Sequence, residues 1–173
     1  MIETEQAVRI AVPIDRVWNY ACDVQRWAEI MPGYQSCEIE DEDNSRWVLK
    51  VGVGALVRTV KVRVHVDEWA GPERVRFAFR LEGDPVEGGG SYHAVAASPD
   101  ATDVSLRVHV AGSGPMAPMW EAMGGPVLPK FAAAFAGQLR DRIEAECGVG
   151  GAPARPGLWS RFVAWLRRIF GGS

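Results

Sequence analysis

The sequence has few of the residues that build disulfide frameworks, metal centres and secretion signals. Among its 173 residues are three cysteines and three histidines. Cys22, Cys37 and Cys147 are odd in number and lack C-x-x-C spacing, which disfavours disulfides or a zinc site and favours a reducing compartment. The first ten residues show no basic or apolar segment of a signal peptide, so we expect none. No run approaches the roughly 20 apolar residues that span a bilayer.

Motifs of covalent catalysis, phosphate binding and metal binding are also missing. There is no G-x-S-x-G, and the glycines at 52–54 and 88–90 lie in strand and turn context, which favours bulges or turns over a phosphate loop. His65, His93 and His109 could be imagined as a metal triad. However, His65 and His109 alternate away from valine faces, so we expect them to face solvent. We therefore predict no catalytic residue, no metal ligand and no intrinsic cofactor.

The composition is that of a folded domain with an unusual charge distribution. Hydrophobic residues make up 47% and charged residues 24%, with a net charge of −3, which excludes a largely disordered chain and does not suggest nucleic-acid binding. Residues 1–147 carry 15 basic against 22 acidic residues, whereas residues 148–173 carry four Arg and no acid. This asymmetry predicts a basic tail with a partner of its own.

Alternation of apolar and polar residues predicts antiparallel strands from Tyr34 to Ala111, after a first strand at Gln6–Val12. The clearest case places the even-numbered residues Val60 to Val66 on one face and Lys61, Arg63 and His65 on the other. Residues 75–81 and 104–110 repeat the pattern. Turn signals lie at 41–45, 70–73, 83–90 and 98–102. One face of such a meander is dry and the other is wet.

Helical spacing frames these strands. Two short helices are predicted after Pro13, the second at Val24–Met31, and a long helix runs from Pro126 or Pro129 to Glu146. This layout predicts an α+β fold in which a curved antiparallel sheet of about seven strands wraps around the long C-terminal helix. Such an arrangement encloses a tunnel unless bulky side chains fill it. We expect a domain over residues 1–147, a Gly/Pro/Ala linker over 148–157 and a tail over 158–173.

Three segments carry a resemblance to a known superfamily. They are VPIDRVWNYACDVQRWAEIMPG at 12–33, LKVGVGALVRTVKVRVHV at 49–66 and GSGPMAPMWEAMGGPVLPKFAAAFAGQL at 112–139. In this order they resemble the START-like, or helix-grip, superfamily, and more narrowly the CoxG family of carbon monoxide dehydrogenase proteins. The resemblance covers residues 6–146. It implies a hydrophobic cavity, and a role beside molybdenum hydroxylases in which the protein attaches to the membrane and carries a respiratory quinone.

The cavity implied by the resemblance should be lined by inward-facing apolar and aromatic residues. Met116, Met119, Trp120 and Met123 read either as ordinary core or as an adaptable mouth for a long ligand. Tyr34, Tyr92 and Trp120 are the plausible hydrogen-bond donors to a ligand head group. The predicted ligand-binding residues are Trp27, Ile30, Met31, Tyr34, Val62, Val64, Phe77, Phe79, Tyr92, Met119, Trp120, Met123, Leu128, Phe131 and Phe135.

The tail has the pattern of a helix that binds a membrane surface. At about 100° per residue, the large apolar residues of 158–170 fall on one side and the three Arg on the other. Docking onto a partner protein, or onto the protein's own body, would give the same segregation. The predicted membrane-binding residues are Leu158, Trp159, Arg161, Phe162, Trp165, Leu166, Arg167, Arg168, Ile169 and Phe170.

Three functions are compatible with these features. The first is a non-catalytic quinone carrier, bound peripherally to the inner face of the cell membrane, that serves a carbon monoxide dehydrogenase-type enzyme. Sixteen Arg against three Lys suggest a GC-rich bacterial genome and therefore favour menaquinone as cargo. The second is an aromatase/cyclase, which would need ionisable groups aimed into the cavity. The third is a membrane tether that recruits the oxidoreductase without cargo.

Overall fold

The computed structural model describes residues 1–53 and 55–148. Most of the predicted linker and the whole predicted tail lie outside the described residues, so both stay predictions. The described part forms seven strands and four helices, which confirms the predicted α+β helix-grip fold. In chain order they are β1 (Ile2–Ile10), α1 (Ile14–Ala21), α2 (Val24–Glu29), β2 (Tyr34–Ile39), β3 (Asn44–Val53), β4 (Leu56–Ala70), β5 (Arg74–Leu81), β6 (Val86–Ser98), β7 (Ala101–Gly112), α3 (Ala117–Gly124) and α4 (Leu128–Glu146).

All seven strands belong to one curved antiparallel sheet with the order β1-β7-β6-β5-β4-β3-β2. Strands β2 to β7 pair with their neighbours in sequence, as short turns between alternating segments predict. β1 instead crosses to the far edge and pairs with β7, from Ile2 opposite Val110 to Ile10 opposite Thr102. The helices cover one face of the sheet, and α4 packs beside β1 and β7.

Polar contacts hold the long helix and the helical hairpin against the sheet edge. The backbone N–H of Ala11 donates to Glu144 in α4 at 3.0 Å, and Arg26 of α2 pairs with Glu146 at 2.8 Å. Below them, the buried hydroxyl of Thr102 donates to the carbonyl of Val12 at 2.8 Å. These contacts fix α4 across the open end of the sheet, as a lid that closes its interior.

Several boundaries differ from the sequence prediction. β1 starts at Ile2 rather than Gln6, because Glu3 and Glu5 on its outer face pair with Arg107 of β7 and extend the strand. α2 ends at Glu29 rather than Met31, since Gly33 adopts a φ of 81° and reverses the chain into β2. α4 starts at Leu128, between the two predicted starts, and ends at Glu146 as predicted.

The glycine run at 88–90 lies within β6 and not in a turn, so the prediction of a turn there is wrong. Gly88 pairs with Phe79 and Gly90 with Phe77 across the β5–β6 ladder. A Cβ atom would stand 2.6 Å from Cζ of Phe79 at the first glycine and 2.8 Å from Cζ of Phe77 at the second. The glycines are therefore needed because two phenylalanine rings lie over the strand where side chains would otherwise be.

Candidate ligand-binding cavity

The space between the sheet and the helices holds a cavity of about 400 Å³. Its sheet wall comes from alternate residues of β3, β4, β5 and β7, because only every second residue of a strand faces the interior. Its helical wall comes from α2, α3 and α4, where Leu128, Ala132, Phe135 and Leu139 recur at helical spacing. The lining residues are Trp27, Met31, Trp47, Leu49, Val51, Arg58, Val60, Val62, Val64, Phe77, Phe79, Leu81, Ser91, Tyr92, Leu106, Val108, Trp120, Met123, Leu128, Phe131, Ala132, Phe135 and Leu139.

An aromatic cluster closes the part of the cavity near α2. The ring of Trp27 lies 6.1 Å from that of Trp69 and 5.9 Å from that of Phe77, and Trp18 meets Trp69 edge-on at 6.3 Å. Such tilted and edge-on pairs are the preferred packing of aromatic rings. The glycines of β6 admit the rings of Phe77 and Phe79 into the same wall. The cavity therefore offers flat aromatic surfaces to a ligand.

Arg58 is the charged residue of the lining, and 56% of its side chain is exposed. It pairs with Asp84 of the β5–β6 loop at 2.9 Å, and its guanidinium lies 5.9 Å from the ring centroid of Trp120 on α3. One side chain thus bridges a strand, a loop and a helix where the cavity meets solvent. The other cations of β4 and β5 face outward: Arg63, for example, pairs with Glu82 at 2.8 Å and thereby lowers the pKa of that carboxyl.

Tyr92 carries the other notable polar group of the wall. Its ring lines the cavity and the residue is 2% exposed. Within the part of the chain that the structure describes, its hydroxyl has no hydrogen-bond partner. Burial raises the pKa of this phenol well above its usual value, so the group stays protonated at neutral pH. It can donate a neutral hydrogen bond, but it cannot serve as an anionic base.

Twelve of the fifteen predicted ligand-binding residues line the cavity. Three do not. Ile30 is buried in the core beside α2, and the hydroxyl of Tyr34 accepts a hydrogen bond from Gln25 at 3.4 Å. Met119 is 42% exposed, because Trp120 and Met123 turn inward on α3 and leave it at the outer edge. Contact between the twelve and a ligand stays a prediction.

The lining also includes eleven residues that we did not predict. Trp47, Leu49 and Val51 alternate along β3, and Val60, Leu81, Leu106 and Val108 continue patterns seen in other strands. These could have been found by applying the period-two rule to every strand. Arg58 has the same parity as Val60, so the expectation that arginines fall on the outer register is wrong at this position. No sequence signal marks Ala132, Leu139 or Ser91 as cavity residues rather than core or surface.

Chemistry other than apolar binding has little support in the described residues. In 1–53 and 55–148, no group of three His, Cys, Asp or Glu could hold a metal ion. His65 bonds to Asn44 on the outer face of the sheet. Burial raises the pKa of Cys37 to about 11, so this thiol is not an activated nucleophile. No helix of the same residues is long and apolar enough to cross a membrane.

Comparison with known proteins places this arrangement in a family. Residues 1–144 match the family described as polyketide cyclase / dehydrase and lipid transport. The chain belongs to this family. Membership confirms the predicted superfamily, and the narrower assignment to the CoxG family remains a prediction. The polyketide cyclase / dehydrase and lipid transport family includes both enzymes and binding proteins, as its description says, so membership alone does not decide between them.

Solved structures share the fold at low sequence identity. A conserved protein from Geobacillus kaustophilus aligns with a TM-score of 0.73 and 18% identity over 84% of this chain and 97% of its own. A START superfamily protein from Mycobacterium smegmatis gives 0.65 and 15%, over 83% and 98%. The Zhui aromatase/cyclase from Streptomyces sp. R1128 gives 0.61 and 20%, over 88% and 99%. At these identities the likeness extends to the fold alone.

One curated relative matches a short part of the chain. A candidate polyketide cyclase of Streptomyces cyaneus is 44% identical over 36 residues, which is 21% of this chain and 24% of that protein. The match thus spans about a quarter of the relative.

Proposed function

We propose that this protein is a non-catalytic carrier that binds a respiratory quinone, menaquinone, and delivers it to a molybdenum hydroxylase of the carbon monoxide dehydrogenase kind. The observation that carries the proposal is the cavity of about 400 Å³ with an almost wholly apolar and aromatic wall. This volume lies within the roughly 300–1,000 Å³ of small-molecule sites. It suits a flat bicyclic ring and the first part of a prenyl chain, while the remainder of the chain leaves past Arg58 and Trp120.

The composition of the wall supports binding rather than catalysis. Among the described lining residues there is no carboxylate, histidine, lysine or cysteine. Cyclisation of a polyketide requires a group that takes up a proton and one that returns it. Tyr92 stays protonated, and Arg58 is held by Asp84, so neither supplies a base. An apolar ligand needs only the burial that this wall provides.

The surface beside the opening supports attachment to a membrane. Val57, Met116 and Met119 are exposed apolar residues, and they lie next to Arg58 on β4 and Trp120 on α3. A carrier that collects a lipid must bring its opening close to the bilayer. The amphipathic pattern of residues 158–170 favours the same position, with the protein held peripherally at the inner face of the cell membrane. The partner enzyme is proposed from the family resemblance alone.

Purification of the full chain under mild conditions, followed by mass spectrometry of an organic extract, tests the cargo. We expect a menaquinone in near-stoichiometric amount, because a buried apolar ligand dissociates slowly into water. A denatured sample of the same preparation, washed before extraction, serves as the control for lipid that adheres without a cavity. An extract free of prenylated molecules, from protein shown to be folded, would favour the tether instead.

Deletion of residues 158–173 should abolish flotation with anionic vesicles. Burial of half of eight apolar side chains, at about 1.5–3 kcal/mol each when complete, gives several kcal/mol, and each Arg near an anionic leaflet adds roughly 1 kcal/mol. The matched variant replaces Arg161, Arg167 and Arg168 by Gln. It should bind anionic vesicles roughly 100-fold more weakly and phosphatidylcholine vesicles with little change. Equal flotation of the full and truncated chains would show that the tail serves another partner.

A cyclase is the second candidate function. The Streptomyces cyaneus match and the fold shared with the Zhui aromatase/cyclase favour it, and the Tyr92 hydroxyl could act as a neutral proton donor. Incubation of the protein with a linear poly-β-ketone thioester separates the two functions. A cyclase releases water and forms an aromatic product that absorbs in the near ultraviolet, whereas a carrier leaves the chain unchanged.

A further inference from the structure

Tyr92 lies on β6, opposite Val75 on one side and Leu106 on the other, in the middle of the sheet. Its ring belongs to the cavity wall, and its hydroxyl oxygen exposes less than 1 Å² to solvent. No group of the described residues forms a hydrogen bond with it. Buried hydroxyls nearly always have a partner, because an unpaired one loses its bonds to water without replacement. This hydroxyl is therefore the feature of the wall that a purely apolar cavity does not explain.

The position of Tyr92 sets the direction in which a ligand would lie. Val75, its partner across β5, pairs in turn with Trp69 near the end of β4. Arg58 is near the start of that long strand, where the cavity meets solvent. Trp27 covers the end that holds Trp69 and Phe77. The unpaired hydroxyl and the exposed cation thus lie toward opposite ends of the cavity.

We propose that Tyr92 donates a hydrogen bond to an uncharged oxygen at the leading end of the ligand, which enters ring first and leaves its apolar chain directed toward Arg58. This inference rests on the proposed carrier function and narrows its ligand class to molecules with a ring carbonyl or hydroxyl. To reach the hydroxyl, the ligand oxygen displaces part of the side-chain packing that covers it.

The surroundings of Tyr92 disfavour an anionic head group at this end. The charged residue of the described wall is Arg58, which lies toward the other end and is paired with Asp84. A carboxylate placed against Tyr92 would lose its hydration without gaining a counter-charge. The phenol is protonated because of its burial, so it can donate to a neutral oxygen. Fatty acids are thereby excluded as ligands that enter carboxylate first.

A pair of probes with the same ring tests the proposal. Menadione and 2-methylnaphthalene share the bicyclic ring and its methyl group, and differ in the two carbonyl oxygens. Binding of each to the full chain, stripped of co-purified lipid, is measured by quenching of tryptophan fluorescence and by calorimetry. In Tyr92→Phe, menadione should bind about tenfold more weakly, as expected for loss of one hydrogen bond, while 2-methylnaphthalene should bind as before.

Tyr34→Phe is the matched control, because it removes a hydroxyl whose hydrogen bond is to Gln25 outside the cavity wall. It should change the affinity for neither probe. The melting temperature of ligand-free Tyr92→Phe should equal or exceed that of the wild type, since no bond is lost. Unchanged menadione binding in this variant, an equal loss for both probes, or a lowered melting temperature overturns the inference alone. If the wild type binds neither probe, the carrier function fails with it.

Discussion

Replacement of Ala132 by Trp should reduce the affinity for menadione at least about 100-fold. Ala132 is a buried residue of α4 that lines the cavity between Leu128 and Phe135. An indole at this position would project into the space that the ligand ring is proposed to occupy. Exclusion of roughly 100 Å² of apolar ligand surface costs about 2.5 kcal/mol at about 25 cal/mol per Å², which is close to 100-fold in affinity.

The neighbouring substitution Ala133→Trp is the control for this variant. Ala133 follows directly in the same helix and is exposed, so the same side chain is added without entering the cavity. It should bind menadione as the wild type does. Circular dichroism of both variants checks that α4 still forms. If Ala132→Trp binds menadione normally, the ligand does not occupy this cavity and the carrier proposal loses its site.

Substitution of Ile143 by Ala should lower the free energy of unfolding by about 2–5 kcal/mol. Ile143 is 1% exposed, lies in the last turns of α4 and packs in the core without lining the cavity. Its side chain attaches the helix to the sheet edge, close to the bond between Ala11 and Glu144. Truncation removes buried methylene groups and leaves a void that the surrounding side chains fill only in part. Urea denaturation of the ligand-free protein measures the change.

Ile39→Ala provides a comparison with the same change of side chain. Ile39 ends β2 on the outer edge of the sheet and is 49% exposed. Its truncation should alter the free energy of unfolding by no more than about 0.5–1 kcal/mol. A similar loss for the two variants would mean that α4 is not anchored by its buried face. The position of α4 relative to the cavity would then need another explanation.

Together these variants separate the two tasks of the last helix. Ala132 and Ile143 lie on the same element, yet one borders the cavity and the other the solid core near the C-terminal end of the helix. We expect the first substitution to remove binding and the second to remove stability. A fold that used α4 only as a lid would show the same response at both positions.

Much of the fold could be predicted from local patterns. In β4, residues alternate between valine and polar side chains for most of the strand, so its inner face could be assigned without coordinates. The short turns between strands determined that neighbours in sequence would pair. β1 was less accurate at its start, because Glu3 and Glu5 depend on Arg107 of a strand distant in sequence. Such a contact leaves no local signal.

The site was predictable where a side chain's direction follows from its own strand. Val62, Val64, Phe77 and Phe79 line the cavity because their parity directs them inward. Met119 was wrongly included, since helical spacing alone does not say which edge of α3 faces the sheet. The glycines at 88–90 were wrongly assigned to a turn. Their role depends on phenylalanine rings that only the pairing with β5 brings over them.

By itself, the sequence determined the order of strands and helices and the apolar inner register of the sheet, because period and parity are properties of each segment. It also contains the basic, amphipathic pattern of residues 158–170. The tertiary structure decided that α4 and the sheet leave about 400 Å³ between them, and that the Tyr92 hydroxyl is buried without a partner in the described residues. Both depend on how side chains from separate elements fill a shared space, which no single segment encodes.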